Sequence, residues 1–409
     1  MNILIISTSD IHGGAALAAF RLMNALNACG VNANMLVRDK FSDNDNVMKI
    51  GNKIQNKWNF YLERGQIFLN NRFSKENLFA VSLATTGVSI TEHPEFKKAD
   101  IIHLHWINQG MLSIGEIGKI LASGKKVVWT MHDMWAFTGI CHYSGQCNHF
   151  EKTCGHCPLL ATTNENDISE RIFKRKKSAY SSGKITFVAC SRWLGNLAKK
   201  SPLTFQHQVF AIPNTIDTHI YSPQNKTAVR QKLGFPAGKK IVLFAAVKAS
   251  DKRKGMEYLL QAEKLLEEKK GEMLFLVVGK TNDINLTELS VETRSLGFIA
   301  SEKMTEIYNA ADVFVTPSLQ DNLPNTIMEA MACGTPCVGF NIGGIPEMID
   351  HLKTGYVAEY KNSEDLAKGL LWTLFEADAE ALSINSREKV LAEYAQETIV
   401  KRYLSVYEE

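Results

Sequence analysis

The feature that most constrains this fold is the alternation of short apolar segments with segments of helical periodicity. Residues 2–8 (NILIIST) form an apolar run, and a segment with apolar positions at helical spacing follows it and stops at Gly30. Further strand-like runs in this half are residues 32–39, 99–107, 125–133, 184–191 and 205–214. Apolar strands interleaved with helices predict a parallel sheet that is covered on both faces.

A second series of the same kind begins near residue 240. It predicts strands at 239–247, 273–279, 291–299, 311–318 and 335–341, and helices at 255–269, 302–310 and 325–333. A polar, turn-rich stretch, NTIDTHIYSPQNK, separates the two series. We therefore predict an α/β chain of two doubly wound, Rossmann-like domains, residues 1–215 and 216–387. The C-terminal helix, about 388–409, is a candidate to pack back on the first domain.

The composition excludes several classes of protein. The chain has 409 residues, of which 45% are hydrophobic and 22% charged, a balance that allows a large core. Its formal net charge of +3 is too small to predict a nucleic-acid partner. The longest apolar runs are of strand length, and the N-terminus lacks the basic and apolar regions of a signal peptide. We therefore expect a cytoplasmic protein.

Ligands of doubly wound sheets bind beyond the carboxyl ends of the strands, which would meet across one cleft if the two domains face each other. In the first half, Gly13 and Gly14 follow the first strand and open a helix, where backbone amides favour an anion. His132 stands at the end of strand 125–133. The structural alternatives are a tight turn at the glycines and a strand-capping role for the histidine.

The strand ends of the second half carry charged side chains. Lys248 and Lys254 lie in a basic loop, KASDKRKG, and could clamp a diphosphate from two sides. Asp321 follows strand 311–318, and Glu329 lies in the next predicted helix. The structural alternatives are a solvated face for the basic loop and, for Glu329, an outward-facing position or a pair with a lysine. The functional alternative for Glu329 is that it accepts hydrogen bonds from vicinal hydroxyls such as those of a ribose.

Taken together, these motifs resemble those of the group 1 family of retaining GT-B glycosyltransferases. DNLPNTIMEAMACG is similar to the family's E-x7-E stretch, with Asp321 in place of the first Glu, and Lys248 stands where an Arg is usual. GGAALAAFRL, TMHD, KASDKRKG, AIPNTIDT and GGIPEMI with TGYV resemble its other motifs, in the right order over residues 2–358. The implied fold is GT-B, in which two Rossmann-like domains face each other across a cleft.

The resemblance implies a role for each residue of the second half. Glu329 would bind the ribose hydroxyls of the nucleotide, and Asp321 would face the donor sugar. Lys248 and Lys254 would neutralise the diphosphate leaving group, so no catalytic metal is expected. Further donor contacts would come from Asn322, Leu323, Asn325 and Thr326.

In the first half, the resemblance assigns His132 to the donor sugar, and Gly13 and Gly14 to its diphosphate and anomeric end. The implied reaction moves a sugar from a nucleotide-diphospho-sugar to a glycan or lipid-linked saccharide in bacterial surface polysaccharide synthesis. Retention by front-side substitution is favoured, because the sequence offers no convincing nucleophile. The alternative from another class is a non-catalytic sugar-nucleotide-binding protein of the same fold; a phosphorylase or an epimerase is a rival enzyme.

A cysteine-rich stretch, CHYSGQCNHFEKTCGHCP, follows the strand that ends at His132. Its cysteines, with spacing C-x5-C-x6-C-x2-C, are Cys141, Cys147, Cys154 and Cys157. The C-x2-C end is typical of a zinc knuckle, and four thiolates would form a closed structural zinc site. A reduced or redox-active thiol cluster is the alternative.

Residues 56–73 mix aromatic with basic side chains, and residues 171–177 (RIFKRKK) add a basic run. This composition predicts either a helix packed on the first domain or an interfacial patch that brings the chain to a lipid-linked acceptor. The family resemblance favours the second, a peripheral contact with the inner face of the cell membrane.

Overall fold

Two sheets of parallel strands organise the chain. The structure, a computed structural model, describes residues 1–281, 286 and 289–409, with only the backbone of residue 302. It divides into two units: unit 1 comprises Met1–Thr215 and Ile399–Glu409, and unit 2 comprises Ile216–Thr398. The predicted α/β class with two doubly wound sheets is confirmed.

Unit 1 is built on a sheet whose strands vary in length. Within the described residues, all pairings between these strands are parallel. The strands are β1 (Asn2–Ser9), β2 (Asn32–Asp39), β3 (Val47–Lys49), β4 (Ile101–Leu104), β5 (Lys126–Met131), β6 (Thr186–Ala189) and β7 (Gln208–Ala211). Their order in the sheet is β3-β2-β1-β4-β5-β6-β7. The helices are α1 (Gly14–Ala28), α2 (Lys53–Asn70), α3 (Pro94–Lys98), α4 (Ile114–Ala122), α5 (Ile168–Tyr180) and α6 (Arg192–Ala198).

Unit 2 repeats the design with a second parallel sheet. The strands are β8 (Lys240–Lys248), β9 (Met273–Lys280), β10 (Thr293–Gly297), β11 (Val313–Thr316), β12 (Cys337–Phe340) and β13 (Gly355–Ala358). Their order is β10-β9-β8-β11-β12-β13. The helices are α7 (Lys226–Leu233), α8 (Met256–Lys264), α9 (Ser301–Ala310), α10 (Asn325–Ala332), α11 (Ile345–Met348), α12 (Ser363–Leu371) and α13 (Ala379–Glu393).

The last helix, α14 (Gln396–Glu408), belongs to unit 1 from Ile399 onward. It buries Ile399, Val400, Tyr403, Val406 and Tyr407 in an apolar cluster with side chains of β1, β2 and α1. Burial of apolar surface at roughly 25 cal/mol per Å² is the main force that holds such a helix on a sheet. The C-terminal helix therefore completes the core of unit 1.

The differences from the sequence prediction concern short elements and element ends. β3 (Val47–Lys49) and β13 (Gly355–Ala358) are not predicted as strands, because three or four residues carry too little periodicity. Helix α8 ends at Lys264, and a 3-10 helix (Glu267–Glu272) replaces the rest of the predicted helix 255–269. In the described part of the chain, no helix has the length and apolar character needed to cross a membrane.

Candidate active site

An ion pair joins the loops that follow two neighbouring strands of unit 2. β8 and β11 pair in parallel, so their carboxyl ends lie at the same edge of the sheet. Lys254 Nζ donates a hydrogen bond to Asp321 Oδ2 over 2.7 Å. The Lys254 side chain is 34% exposed and that of Asp321 14%. A pair this accessible contributes about 0.2–1 kcal/mol to stability, so it leaves a positive charge available to an incoming anion.

Glycine makes the close approach of the two loops possible. Gly255 has a φ of +66°, and a Cβ on it would lie 1.8 Å from the carbonyl oxygen of Pro317. The Leu319 N–H donates to the Arg253 carbonyl over 2.7 Å, which ties the loop after β11 to the loop after β8. Lys254 thus reaches Asp321 because the residue after it has no side chain.

A second glycine brings a further loop against Asp321. Gly343, in the loop after β12, has a φ of +61°, and a Cβ there would lie 1.8 Å from the Asp321 carbonyl oxygen. β11 and β12 are neighbours in the sheet. Loops from three adjacent strands therefore converge on Asp321.

The first turn of α10 follows Asp321 directly. Asn322 and Leu323 are buried, whereas Asn325 and Thr326 are partly exposed at the start of the helix. Pro324 stands at the N-cap position, where no side chain accepts a hydrogen bond from the helix amides. Backbone amides and the helix dipole favour an anion at this position.

Glu329 is buried one turn further along α10, at 6% exposure. It does not face outward, which was one of the structural alternatives. The hydroxyl of Tyr308, on α9, donates to Glu329 Oε2 over 2.8 Å. Burial and the neighbouring Glu329 carboxylate raise the pKa of Tyr308 well above its ordinary value, so its hydroxyl remains a donor. Tyr308 is a supporting residue that the sequence did not single out.

Lys248 lies at the exposed end of β8. Its carbonyl oxygen accepts a hydrogen bond of 3.1 Å from the Asp251 N–H, which starts the turn that carries Lys254. Asp251 Oδ1 in turn accepts from the Arg253 N–H over 3.0 Å and so caps that turn. Both predicted lysines therefore belong to one strand-end segment.

In unit 1, the predicted Gly-Gly loop lines a cavity of about 460 Å³ at the end of β1. Gly13 has a φ of +102° and a Cβ on it would meet no atom within 4 Å, so open space surrounds it. The other lining residues are Thr8, Ser9, His12, Gly14, Ala15, Ala16, Arg38, Asp39, Phe41, Trp106 and Gln109. The cavity therefore combines an exposed backbone turn with aromatic and charged side chains.

Asp10 joins two loops in the wall of this cavity, although no sequence motif singles it out. It is fully buried, and its carboxylate accepts hydrogen bonds from the N–H groups of Ile11, Phe41 and Ser42 at 2.8–3.1 Å. Burial opposes its ionisation, but these hydrogen bonds prevail and lower its pKa. The loop after β2 is thereby fastened to the loop after β1.

His132 lies at the end of β5, where the sequence predicts it, and contacts a line of buried histidines. Its Nε2 lies 2.9 Å from His105 Nδ1, and its Nδ1 lies 3.5 Å from Cys190 Sγ. The ring of His103 lies 4.4 Å from that of His105, and its Nδ1 is 2.7 Å from the Tyr407 hydroxyl on α14. The HLHW stretch at the end of β4 was a possible signal, because two buried histidines need hydrogen-bond partners.

These three histidines are neutral near pH 7. Burial lowers the pKa of His132 to about 4, although the nearby Asp133 carboxylate acts in the opposite direction. Burial also lowers the pKa of His103 to about 3 and that of His105 well below its ordinary value. A neutral imidazole at position 132 can donate one hydrogen bond and accept another, and it carries no charge.

Asp133 organises the turn after β5. Its Oδ1 accepts a hydrogen bond from the Trp135 N–H over 2.8 Å, and its Oδ2 accepts from Trp106 Nε1 over 2.9 Å. His142 Nδ1 lies 2.7 Å from the same Oδ2. Burial acts to raise the pKa of Asp133, but His142 and the two hydrogen-bond donors outweigh it, and the net result is a lowered pKa. The turn that presents His132 is therefore attached to the cysteine-rich loop through His142.

The four predicted cysteine ligands line one small cavity in that loop. They are Cys141, Cys147, Cys154 and Cys157, and all are free thiols. Burial raises the pKa of Cys141, Cys154 and Cys157 to about 12. Over the described residues, no group of three or more His, Cys, Asp or Glu side chains is already arranged to hold a metal ion.

Comparison with known proteins begins with unit 2. Residues 225–396 match the model of the family described as glycosyl transferases group 1. This range contains the Lys254–Asp321 pair, the first turn of α10 and Glu329. The strand-end loops described above thus lie within the part of the chain that the family model recognises.

Individual proteins extend the likeness over the rest of the chain. An uncharacterized glycosyltransferase of Methanocaldococcus jannaschii is 26% identical over 80% of this chain and 89% of its own. N-acetyl-alpha-D-glucosaminyl L-malate synthase of Bacillus anthracis is 27% identical, but over only 47% of this chain and 52% of its own, about half of each. HepE of Anabaena, solved with UDP and glucose, is 16% identical with a TM-score of 0.67 over 100% of this chain and 99% of its own. At that identity the structural likeness shows the fold alone.

The two parallel α/β sheets, together with the likeness to solved glycosyltransferase structures, identify the fold class as GT-B. The resemblance noted in the sequence is confirmed by the family model and the relatives. Residues 225–396 therefore resemble the group 1 glycosyltransferase family, and the longer match to the Methanocaldococcus jannaschii protein shows that the likeness to glycosyltransferases extends beyond them.

Proposed function

We propose that this chain is a retaining glycosyltransferase that uses a nucleotide-diphospho-sugar as its donor. The observation that carries the proposal is the Lys254–Asp321 pair, 2.7 Å long, at the edge of the unit 2 sheet and beside the first turn of α10. A lysine and helix amides together suit the diphosphate of such a donor. The solved complex of HepE with UDP and glucose, a protein of the same fold, supports this donor class.

The proposed chemistry follows from the charges of these residues. When the bond between sugar and diphosphate breaks, negative charge grows on the leaving phosphate. Lys254 would stabilise that charge. Its ammonium group is already partly exposed, so it can move from Asp321 to the phosphate without a large change in its solvation. Asp321 would then face the sugar, and Glu329, held by Tyr308, would accept from the ribose hydroxyls. His132, whose role the resemblance supplies, would contact the sugar as a neutral hydrogen-bond partner.

The donor and the stereochemistry can be tested together. Wild-type protein would be mixed with a panel of UDP- and GDP-sugars, and thermal shift and release of the nucleotide diphosphate would be measured. At least one sugar nucleotide should raise the melting temperature and be turned over, because binding to the folded state stabilises it. The product of that donor should keep the anomeric configuration, as judged by NMR. Inversion would contradict the retaining mechanism, and stabilisation without turnover would favour the non-catalytic alternative.

The acceptor class rests on a different observation, the inverted polarity of α2. Its buried face is mostly polar, with Asn56, Glu63 and Arg64 buried beside the apolar Ile67. Glu63 accepts from the N–H groups of Leu83 and Ala84, and Arg64 donates to the Val81 carbonyl over 3.2 Å. Its exposed face is apolar, with Ile54, Trp58, Tyr61, Leu62 and Leu69 between 46% and 71% exposed. The predicted packing of this helix on unit 1 thus uses its polar side.

We propose that the apolar face of α2 contacts the surface of an anionic membrane that holds a lipid-linked acceptor. Exposed basic residues accompany it, namely Lys53, Lys57, Arg72 and Lys75. Apolar insertion together with electrostatic attraction is how interfacial helices bind such surfaces. Bacterial surface polysaccharide synthesis at the inner face of the membrane is the setting that we propose for this acceptor.

Co-sedimentation with lipid vesicles tests the membrane contact. Wild-type protein should bind vesicles that contain anionic lipid and should bind less to purely zwitterionic vesicles or at high salt. The double variant W58Q/Y61Q should lose binding, whereas F205Q, which alters an exposed aromatic residue outside α2, should not. Equal binding of both variants would overturn this use of α2.

A further inference from the structure

Four cysteines line one small cavity in the loop after β5. Cys141, Cys147, Cys154 and Cys157 line a cavity of about 20 Å³. Cys141 and Cys157 are buried, and the other two are partly buried. A cavity of this volume admits one small guest at most. Any ligand in this cavity would therefore lie among the four cysteine side chains.

The backbone of the C-G-H-C segment is bent so that both of its cysteines face this cavity. Cys154, Gly155 and His156 have φ values of +60°, +90° and +47°. Left-handed conformations at non-glycine residues cost roughly 1 kcal/mol or more each. The Cys157 N–H donates to Asp167 Oδ2 over 2.8 Å, which fixes the end of the turn. The loop is held in a strained conformation, and this conformation brings the thiols of Cys154 and Cys157 to the same cavity.

Two further groups around the cavity suit sulfur that carries negative charge. The Gly139 N–H donates a hydrogen bond to Cys154 Sγ over 3.2 Å. Lys176, which is fully buried on α5, interacts electrostatically with Cys141 and Cys154 and forms no salt bridge in the described part of the chain. Its Nζ donates to the Thr138 carbonyl over 3.0 Å and lies 3.4 Å from the centre of the Trp135 ring. The Asp133 carboxylate also acts on Lys176 electrostatically. Burial disfavours an ammonium at this position, and a metal thiolate would supply a second anion that favours it.

We propose that Cys141, Cys147, Cys154 and Cys157 bind one zinc ion in a closed structural site, with Lys176 as a buried countercharge. Zinc prefers four thiolates in a tetrahedron, and a site with four protein ligands has no open position for catalysis. Binding would form four Zn–S bonds and release four thiol protons to solvent, with no transfer of electrons. The thiols must turn toward the cavity to reach bonding distance, since they are not yet arranged around a metal position.

Such an ion would stiffen the turn that carries His132. Cys141 and Val81 form a β-bridge, and the Met134 N–H donates to the His142 carbonyl over 2.9 Å. His142 also contacts Asp133, the residue after His132. The metal would therefore fix the loop from Asp133 to Cys157. This structural role would not depend on whether the protein transfers sugars.

Metal content and a spectroscopic readout test the site without any activity assay. Protein purified without chelators should contain about one zinc per chain by elemental analysis. Reduced, metal-free wild-type protein titrated with Co²⁺ should show thiolate-to-cobalt charge-transfer absorption and the visible bands of a tetrahedral ion. A protein that lacks zinc and gives no such bands would overturn the proposal, as would a disulfide between two of these cysteines in the purified protein.

Matched variants locate the site. C147S changes a partly buried ligand, and it should lose zinc and lower the melting temperature. C29S changes an exposed cysteine outside the loop and should alter neither. K176M should weaken cobalt binding by roughly tenfold, the usual size of effects from groups around the ligands. Full zinc content in C147S would overturn the ligand set, and unchanged cobalt affinity in K176M would overturn the role of Lys176.

Discussion

The two units hold their candidate residues in different ways. In unit 2, Lys254 and Asp321 meet because β8 and β11 are adjacent, and each residue lies a few positions beyond its own strand. In unit 1, His132 contacts His105, and the line of rings continues through His103 to Tyr407 on α14. The unit 2 pair is partly exposed, at 34% for Lys254 and 14% for Asp321, whereas most of the unit 1 line is buried.

This difference shows what each unit is able to do. Breaking a partly exposed ion pair costs little free energy, so a charged ligand can replace Asp321 as the partner of Lys254. A buried line of neutral rings fixes the position and the tautomer of the one ring that ends it. The candidate site of unit 2 would therefore act through charged side chains, and that of unit 1 through a rigidly oriented neutral ring. Four predictions test this division.

The largest effect is expected for K254A, because the charge that Lys254 meets grows as the diphosphate leaves. Loss of one such group typically lowers kcat by roughly 10²–10³-fold. We expect kcat to fall more than the donor KM rises. K252A, which removes an exposed neighbouring lysine, is the matched control and should be nearly silent. If K254A changed KM alone, Lys254 would bind only the ground state of the donor.

The next largest effect is expected for H132A. Transfer should fall by about 10²-fold, while the free nucleotide diphosphate binds as it does to wild type, because the proposed contact is to the sugar. Affinities for the diphosphate and the sugar nucleotide, together with the melting temperature, provide the readout. A lower melting temperature with both affinities weakened would show that His132 supports the loop instead.

A smaller effect is expected for E329A, in donor affinity. Removal of the ribose acceptor should weaken donor binding by about 1–3 kcal/mol, measured by calorimetry. Y308F removes only the hydroxyl that holds the carboxylate over 2.8 Å and should cost about 0.5–1.5 kcal/mol. E257A, at an exposed acid of α8, is the control. Equal donor affinity in E329A and wild type would remove Glu329 from the site.

The last prediction concerns stability rather than activity: the pH dependence of stability should originate in unit 1. Folding lowers the pKa of His132 from 6.5 to about 4, so the unfolded chain binds more protons between these values. The contribution to stability is complete above pH 6.5 and is lost as the pH falls toward 4, by about 1.4 kcal/mol per pH unit for each such histidine.

Tryptophan fluorescence can follow this unfolding in unit 1, because Trp372 is the only tryptophan of unit 2 in the sequence. H103N and Y407F should reduce the slope of stability against pH, since both alter the buried line of rings. A pH-independent melting temperature of wild type from 7 to 5 would contradict neutral burial of these histidines.

The sequence was sufficient for most of the candidate site in unit 2. Lys254, Asp321 and Glu329 lie in short motifs at predicted strand ends, and parallel pairing brings strand ends together. It was not sufficient for the partners of these residues. Nothing local joins Tyr308 to Glu329, because α9 and α10 are separated by a strand and their contact depends on packing.

The sequence by itself determined the class of fold, the two halves and the strand ends at which chemistry occurs, because hydrophobic periodicity and glycine positions are local properties of a chain. Only the tertiary structure decided which buried groups support those ends. His103 meets Tyr407 across 304 positions of sequence, and α2 turns its polar face inward. Both the His103–Tyr407 contact and the orientation of α2 depend on which surfaces of the sheet remain exposed until other elements pack on them. A local sequence pattern carries no information about those surfaces.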